Sequence, residues 1–196
     1  MAYPMLAEPE RFTYADLLRW PENERWELID GVAYDMTPAP SVKHQRISID
    51  LASQFYNFLK GKSCDVFSAP FDVRLPAPSE DDMTTTTVVQ PDITVVCDRK
   101  KLDARGCLGA PTLVVEILSP ETAAKDRREK LLLYERVKIP EYWIISPFEL
   151  TLMVYSLTKK GHYGVPTVYS RDEQVPVGVL PGLTVELAEV FANLDI

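Results

Sequence analysis

The chain has 196 residues and a formal net charge of −8, and 46% of its residues are hydrophobic while 26% are charged. This length fits one domain with a substantial core, and the composition is that of a globular protein. The negative charge argues against a general nucleic-acid coat protein, because phosphate binding depends on clustered Lys and Arg. It does not exclude an enzyme that meets phosphates through a metal ion.

Targeting and membrane signals are absent from the sequence. The first residues lack a basic segment followed by an apolar one, and no apolar run approaches the ~20 residues needed to cross a bilayer. The cysteines, Cys64, Cys97 and Cys107, are odd in number and show no C-x-x-C spacing. We therefore expect free thiols in a reduced compartment and a cytoplasmic protein without a membrane partner.

A short helix and a hairpin are predicted within residues 12–37. Thr13 caps the helix and Pro21 stops it. Asp30-Gly31 lies between two partly apolar runs, which is a strong hairpin signal. Glu27 alternates with apolar neighbours in this hairpin, and such a glutamate usually faces solvent. The alternative for Glu27 is a role in a site.

A long helix is predicted from its cap, Ser41, to about Lys60. Apolar residues recur along it at spacings of three and four, and His44 opens this apolar stripe. Two roles fit that position of His44. It is either a hydrogen-bonded core histidine or a substrate or metal contact at the rim of a site.

The centre of the chain alternates strands with one helix. Strands are predicted over Asp65–Ser68, Phe71–Leu75, Val88–Cys97, Thr112–Leu118 and Glu141–Ile145, and a helix over Thr122–Val137. The strand–helix–strand order at the end of this series predicts a right-handed crossover between two parallel strands. After Pro147, hairpin-like segments within residues 150–194 predict antiparallel strands and a short final helix, which complete or flank the sheet.

Two of these apolar strands each carry one carboxylate. Asp92 lies near the start of its strand and Glu116 lies well inside the next one. Burying a carboxylate without a partner costs several kcal/mol, roughly, so the two positions indicate a site. If the strands are neighbours, both acids can bind Mg²⁺ or Mn²⁺, hard cations that retain waters replaceable by phosphate oxygens. A glycosidase-like carboxylate pair is the weaker alternative, since nothing assigns unequal environments to the two acids.

The predicted helix over 122–137 adds a lysine to this pair. At about 100° per residue, Asp126 and Lys130 share an otherwise apolar arc that should pack on the sheet. They form either an internal ion pair or a site in which Lys130 reaches the strand carboxylates. In such a site the lysine would orient water and balance charge that develops on a phosphate. Arg127 points outward, where it is either solvated or faces DNA.

Six short motifs occur in a specific order along the chain. They are Trp26-Glu27-Leu28-Ile29-Asp30-Gly31, His44-Gln45-Arg46-Ile47, Pro91-Asp92-Ile93, Val115-Glu116-Ile117-Leu118-Ser119-Pro120, Asp126…Lys130…Tyr134 and Pro140-Glu141-Tyr142-Trp143. In this combination the chain resembles the Uma-two family of bacterial restriction-endonuclease-like proteins, over roughly residues 12–157. The resemblance implies the PD-(D/E)xK nuclease superfamily. Its fold is α/β (α+β), with a mixed central sheet flanked by helices and Mg²⁺ at strand carboxylates.

Position by position, the resemblance makes Asp92 and Glu116 the metal-binding acids. Glu27 matches an N-terminal acid that serves as a further ligand or polar contact, and Lys130 matches a lysine of the following helix. The superfamily's E-x-K lysine would stand two residues after Glu116, where this chain has Leu118. The positive charge must therefore come from Lys130, which the helical arc places inward independently of the resemblance.

The sequence thus predicts a Mg²⁺- or Mn²⁺-dependent endonuclease that hydrolyses DNA phosphodiesters. One restriction-endonuclease-like domain would span residues 1–196, with its core at about 41–147. Candidate substrate contacts are His44, Asp126 and Arg127. A non-catalytic binding or scaffold protein that retains the fold, as a homodimer, is the competing interpretation, favoured by the acidic charge and by Leu118. A nuclease acting on RNA or branched DNA is a third.

Overall fold

Two six-stranded sheets frame the protein in the computed structural model, which describes residues 10–36, 39–120, 126–192 and 194. The helices are α1 (Tyr14–Leu17), α2 (Val42–Leu59), α3 (Leu131–Arg136) and α4 (Leu187–Val190), with a 3₁₀ turn at Arg99–Lys101 and a π-helical turn at Asp126–Lys130. The strands are β1 (Trp26–Ile29), β2 (Val32–Asp35), β3 (Asp65–Ser68), β4 (Val73–Arg74), β5 (Val88–Val89), β6 (Ile93–Val96), β7 (Leu102–Asp103), β8 (Gly106–Leu108), β9 (Leu113–Ile117), β10 (Glu141–Ser146), β11 (Thr151–Ser156), β12 (Thr167–Ser170), β13 (Gln174–Pro176) and β14 (Thr184–Glu186). Within the described ranges, none of the helices is long and apolar enough to cross a bilayer.

The first sheet has the strand order β2-β1-β5-β4-β8-β7 and contains the predicted hairpin. β1 and β2 pair antiparallel around Asp30 and Gly31, whose φ angles are +50° and +81°. Positive φ at both central residues is what a two-residue hairpin turn of this hand requires. The Asp30-Gly31 hairpin prediction is therefore confirmed.

The second sheet, with the order β12-β11-β10-β9-β6-β3, is the mixed sheet that the sequence predicts. β9 and β10 are parallel, as expected from the strand–helix–strand order, while the other neighbouring strands are antiparallel. The sequence predicts that the C-terminal strands complete or flank the sheet, and both arrangements occur. β11 and β12 extend the sheet, and β13 and β14 form a separate antiparallel pair.

Each face of the second sheet carries its own apolar cluster. α2 packs one face through its predicted stripe, and its buried residues are His44, Ile47, Leu51, Phe55 and Leu59. The opposite face packs against α3 and the first sheet. Because side chains alternate along a strand, Val115 and Ile117 face α2, whereas Glu116 between them faces α3. This alternation selects the side of the sheet on which the candidate site lies.

The prediction of one strand over Val88–Cys97 is wrong. β5 belongs to the first sheet and β6 to the second, so the chain crosses between the sheets at residues 90–92. Pro91 lies in this crossing, and a proline cannot donate a hydrogen bond to a ladder. The crossing places Asp92 beside both sheets.

The expectation of free thiols is wrong for two of the cysteines. Cys64 and Cys97 form a disulfide bond, whereas Cys107 is free and buried. Asp65 pairs with Val96 in the antiparallel β3–β6 ladder, so Cys64 and Cys97 lie opposite each other one step beyond it. Cysteine spacing along the sequence does not reveal this register. The reduced, cytoplasmic location stays a prediction.

Candidate active site

Lys130 is buried among three carboxylates that come from different parts of the chain. Its Nζ lies 2.8 Å from Oε1 of Glu27, 2.8 Å from Oε1 of Glu116 and 3.7 Å from Oδ1 of Asp126. All four side chains are at most 5% exposed. The inward orientation of Asp126 and Lys130, predicted from the helical arc, is confirmed for the described part of that helix; residues 122–125 lie outside the described residues.

Three elements bring these groups together. Glu27 comes from β1 of the first sheet, Glu116 from β9 of the second, and the π-helical turn before α3 supplies both Asp126 and Lys130. Single π turns inside helices frequently occur at functional sites, because they redirect side chains locally. Tyr142 fixes this turn by donating a hydrogen bond of 3.1 Å to the backbone carbonyl of Asp126.

Glu27 is inside the protein, so its usual solvent-facing role does not apply. Its side chain is fully buried and accepts a hydrogen bond of 2.9 Å from the backbone N–H of Gln90, in the crossing between the sheets. The ion pair with Lys130 offsets the cost of this burial, since an unpaired buried carboxylate is strongly unfavourable. The solvent-facing interpretation of Glu27 is therefore wrong, while its role in a site stays a prediction.

Glu116 is held from two sides on the same oxygen. Lys130 and the Tyr134 hydroxyl donate to Oε1 at 2.8 Å and 2.7 Å. Tyr134 is fully buried, and its contribution is not evident from the sequence beyond its place on the arc, four residues after Lys130. These two bonds set the orientation of the Glu116 carboxylate. Both end on Oε1, so neither uses the lone pairs of the second oxygen, Oε2.

Asp92 lies next to Glu116, as predicted for neighbouring strands. Ile93 pairs with Val115 in the antiparallel β6–β9 ladder, so Asp92 stands opposite Glu116 one step beyond it. Residues directly opposite in such a ladder have Cβ atoms roughly 4.5–5.5 Å apart. The backbone N–H of Ile117 donates to Oδ2 of Asp92 at 2.7 Å. At 19% exposure, the Asp92 side chain is more open than the three carboxylates around Lys130.

His44 holds Asp92 from the side of α2. Ser41 caps this helix by accepting the N–H of His44 at 3.3 Å, and the Nε2 atom of His44 lies 3.2 Å from Oδ2 of Asp92. An ionised carboxylate can only accept, so we assign the ring proton to Nε2. The other ring nitrogen, Nδ1, is buried without a hydrogen-bond partner in the part of the chain that the structure describes. The hydrogen bond that His44 makes through its ring is therefore the one to Asp92, and it helps to fix the orientation of that carboxylate.

The cluster carries more negative than positive charge. Glu27, Asp92, Glu116 and Asp126 carry three negative charges more than Lys130 offsets when all four are ionised. Burial raises the pKa of Glu116 well above its usual value; Lys130 opposes this rise, and Asp126, Asp92 and Glu27 add to it. Burial alone would lower the pKa of Lys130, but Glu116, Glu27 and Asp126 together raise it well above the ordinary value. Lys130 therefore stays cationic, and Glu116 is stabilised by a proton or by a further cation.

The site forms the floor of a cleft of about 1420 Å³. Residues lining this cleft include His44, Asp92, Glu116, Asp126 and Lys130. Arg127, the other predicted substrate contact, is not part of the lining. Its guanidinium is 45% exposed and lies 3.2 Å from Glu149, so this contact is not brought into the cleft.

The sequence model of a family described as "Uma2: Putative restriction endonuclease" matches residues 14–188. The chain belongs to the Uma2 family. This match confirms the resemblance seen in the sequence motifs and extends it beyond residue 157 into the C-terminal strands.

Two relatives of this Uma2 chain cover most of its length. "Uncharacterized protein slr1290" of Synechocystis sp. is 29% identical over 173 residues, which are 87% of this chain and 84% of that protein. The crystal structure of "a putative nuclease belonging to DUF820 from Anabaena variabilis" superposes with a TM-score of 0.73 at 23% identity, over 92% of this chain and 97% of that one. At this identity the likeness shows the fold, and it confirms the predicted mixed α+β architecture.

Leu118 stands where the resemblance in the sequence would place an E-x-K lysine. It is 3% exposed and packs in the apolar cluster on the α3 side of the second sheet. A lysine at position 118 would come directly after the end of β9. Lys130 instead reaches Glu116 from the π-helical turn that precedes α3. The positive charge beside Glu116 therefore comes from Lys130 and not from the position of Leu118.

A metal ion at this Uma2 site would have few protein ligands. Among the described residues, no group of three or more His, Cys, Asp or Glu side chains is arranged to hold one. Mg²⁺ usually binds through one or two carboxylates and keeps several waters. Asp92 and Glu116 match that pattern, because their hydrogen bonds end on Oδ2 and Oε1 while both residues line the cleft. The donor set fits hydrated Mg²⁺ and does not fit a closed protein cage.

Proposed function

We propose that this Uma2 protein is a Mg²⁺-dependent endonuclease that hydrolyses phosphodiester bonds in DNA; Mn²⁺ would serve the same role. The observation that carries the proposal is the buried Lys130 held against Glu116, directly beside the more open Asp92, at the floor of a large cleft. The descriptions "Putative restriction endonuclease" for the family and "a putative nuclease" for the Anabaena protein support the same reaction class.

Asp92 and Glu116 would hold the metal ion, because their hydrogen bonds to the protein end on one oxygen of each carboxylate. When bound, Mg²⁺ supplies Lewis-acid polarisation of a phosphate oxygen and makes water more acidic. The residues behind the two acids fix them before substrate arrives. His44 and the Ile117 N–H hold Asp92, while Lys130 and Tyr134 hold Glu116. Such hydrogen bonds to ligating carboxylates orient them and tune metal affinity.

Lys130 would stabilise the pentavalent phosphate of the transition state and orient the attacking water. Its raised pKa keeps it charged at neutral pH, since three carboxylates outweigh the effect of burial. Glu27 and Asp126 also hold the ammonium, at 2.8 Å and 3.7 Å. A charge that is fixed in advance costs no reorganisation when the phosphate develops its own charge.

The excess negative charge gives the metal ion a second purpose. When all four carboxylates are ionised, the floor of the cleft has three negative charges in excess and opposes the approach of a phosphate anion. One divalent cation reduces this excess to one charge. We therefore expect that DNA contacts the active-site floor only when a divalent cation is bound.

The test compares plasmid nicking by purified wild-type protein and by Glu116→Gln over a Mg²⁺ titration. Glu116→Gln keeps the size of the side chain and an acceptor for Lys130 and Tyr134, so circular dichroism should show an intact fold. We expect Mg²⁺-dependent nicking by the wild type and none by the variant. The matched control is Glu149→Gln, an exposed glutamate outside the cleft lining, which should cleave normally. Robust nicking by Glu116→Gln would sink the proposal.

The second candidate is a non-catalytic binding or scaffold protein, as a homodimer. The observation in its favour is that Lys130 already neutralises part of the charge that a metal would otherwise balance. Calorimetric titration with Mg²⁺ or Mn²⁺ separates the two candidates. The absence of binding at millimolar metal would favour the scaffold.

A further inference from the structure

The outward face of α2 exposes large apolar side chains along the cleft. Val42, Ile49 and Tyr56 are 62%, 65% and 57% exposed, and all three line the cleft. They recur every seven residues, so they share one face of the helix and lie about 10 Å apart along it. Phe148, which is 69% exposed, lines the same cleft and shares a small neighbouring cavity with Lys43, near the start of α2. The apolar surface from Phe148 to Tyr56 therefore extends on the order of 20 Å.

The same helix carries positive charge in an acidic chain. Residues 41–63 contain Lys43, Arg46 and the acidic Asp50 within α2, and Lys60 and Lys62 just past its last residue. This segment therefore has an excess of three positive charges, while the whole chain has a net charge of −8. Basic residues interspersed with exposed aromatic and apolar side chains are typical of surfaces that track a nucleic-acid backbone and stack its bases.

The cleft suits unpaired bases better than a duplex. In a duplex the bases stack on each other, so exposed aromatic rings contact base faces only where the strand is single. Duplex binding draws much of its affinity from contacts between several Lys or Arg side chains and phosphates. Among the described residues, the cations that line the cleft are Arg25, Lys43 and Lys130. Arg25 donates to Gln90 and Lys130 is enclosed by carboxylates, so Lys43 is the cation best placed to meet a phosphate.

We propose that the α2 face of the cleft binds single-stranded DNA, with bases against Tyr56, Ile49 and Phe148 and a phosphate at Lys43. This inference rests on the proposed function, because it names the form of DNA that reaches the active-site floor. The substrate is a single strand or a single-stranded segment of a larger DNA. Specificity for this form comes from stacking on α2, not from the catalytic acids.

The test measures binding without cleavage. Full-length protein with Ca²⁺ in place of Mg²⁺ is titrated against a labelled oligothymidylate of about 20 nucleotides and against a duplex of the same length, by fluorescence anisotropy. We expect the single strand to bind at least ten-fold more tightly. Tyr56→Ala and Phe148→Ala should each weaken single-strand binding by about five-fold or more, the loss of one stacked base. Tyr56→Trp should retain binding and Tyr56→Leu should lose it.

The control and the opposing outcomes are equally specific. Leu132→Ala removes an exposed apolar side chain outside the cleft lining and should leave binding unchanged. Equal or tighter duplex binding, or unchanged single-strand binding by Tyr56→Ala, would overturn the inference. So would a dimer, seen by analytical ultracentrifugation, that Tyr56→Ala dissociates without affecting DNA binding, because the α2 face would then bind a second copy.

The two proposals fail separately in this design. Single-strand binding that depends on Tyr56, without any Mg²⁺-dependent cleavage, would refute the proposed function and leave this inference standing. Cleavage of duplex DNA that is insensitive to Tyr56→Ala and Phe148→Ala would do the reverse.

Discussion

Replacing Lys130 with methionine tests whether its charge is buried as described. Methionine has a similar length and no charge. The Nζ atom of Lys130 lies 2.8–3.7 Å from oxygens of Glu27, Glu116 and Asp126, so the substitution leaves these three carboxylates close together without a cation between them. Breaking a buried ion pair by removing one partner costs about 3–5 kcal/mol, because an uncompensated charge stays behind. We expect Lys130→Met to lower the free energy of unfolding by this amount at pH 7.5.

The pH dependence of the loss follows from the direction of the pKa shifts. Burial already raises the pKa of Glu116 well above its usual value, and removing Lys130 raises it further. A carboxyl group whose pKa is raised in the folded state stabilises the protein when the pH is below the ordinary pKa of the group. This stabilisation is lost as the pH rises through the folded-state pKa. The defect of Lys130→Met should therefore shrink between pH 7.5 and pH 5, as carboxyl groups of the cluster take up protons.

Urea unfolding followed by circular dichroism at both pH values measures these effects. Lys160→Met, at an exposed lysine, is the matched control and should change stability by less than about 0.5 kcal/mol. In the double variant Lys130→Met/Glu116→Gln, removal of one carboxylate should recover part of the loss. A Lys130→Met protein as stable as the wild type at pH 7.5 would refute the reasoning about the buried charge.

Two further predictions concern other parts of the chain. His44→Leu should weaken Mg²⁺ binding 10- to 100-fold, roughly, by releasing Asp92, whereas His44→Gln should retain part of the affinity; unchanged calorimetric affinity in His44→Leu would contradict this role. Lys138 lies just past the C-terminus of α3 with a φ of +62°, and the N–H groups of Lys138 and Ile139 satisfy helix carbonyls there. Because glycine adopts this conformation without a steric cost, Lys138→Gly should be about 1 kcal/mol more stable than Lys138→Ala in urea unfolding. Equal stabilities would contradict the strain argument.

The parts of the site that sequence patterns predict are those with local signals. The arc that places Asp126 and Lys130 inward needs only the helical period, and His44 follows from the same rule applied to α2. Asp92 and Glu116 stand out because carboxylates are rare within apolar strands. Each of these expectations depends on residues within a few positions of each other, where periodicity and propensity determine the structure.

The parts that sequence patterns miss depend on distant pairing. Glu27 faces inward because it pairs with Lys130. Lys130 lies far away in the chain, so the alternation of residues around Glu27 does not reveal this pairing. The disulfide bond between Cys64 and Cys97 depends on the register of β3 and β6. The two short strands that replace the predicted Val88–Cys97 strand reflect a competition between sheets, which the apolar run alone does not resolve.

The crossing at residues 90–92 means that the same groups perform the proposed chemistry and hold the architecture together. The Gln90 N–H binds Glu27 of the first sheet, while Asp92 accepts the Ile117 N–H of the second, so the candidate catalytic acids fasten one sheet to the other. An apolar network of similar volume would often be as stable as such buried charges, or more stable. Stability and activity therefore make opposite demands on these positions, and a variant selected for thermal robustness alone would tend to join its sheets through apolar contacts and lose the site.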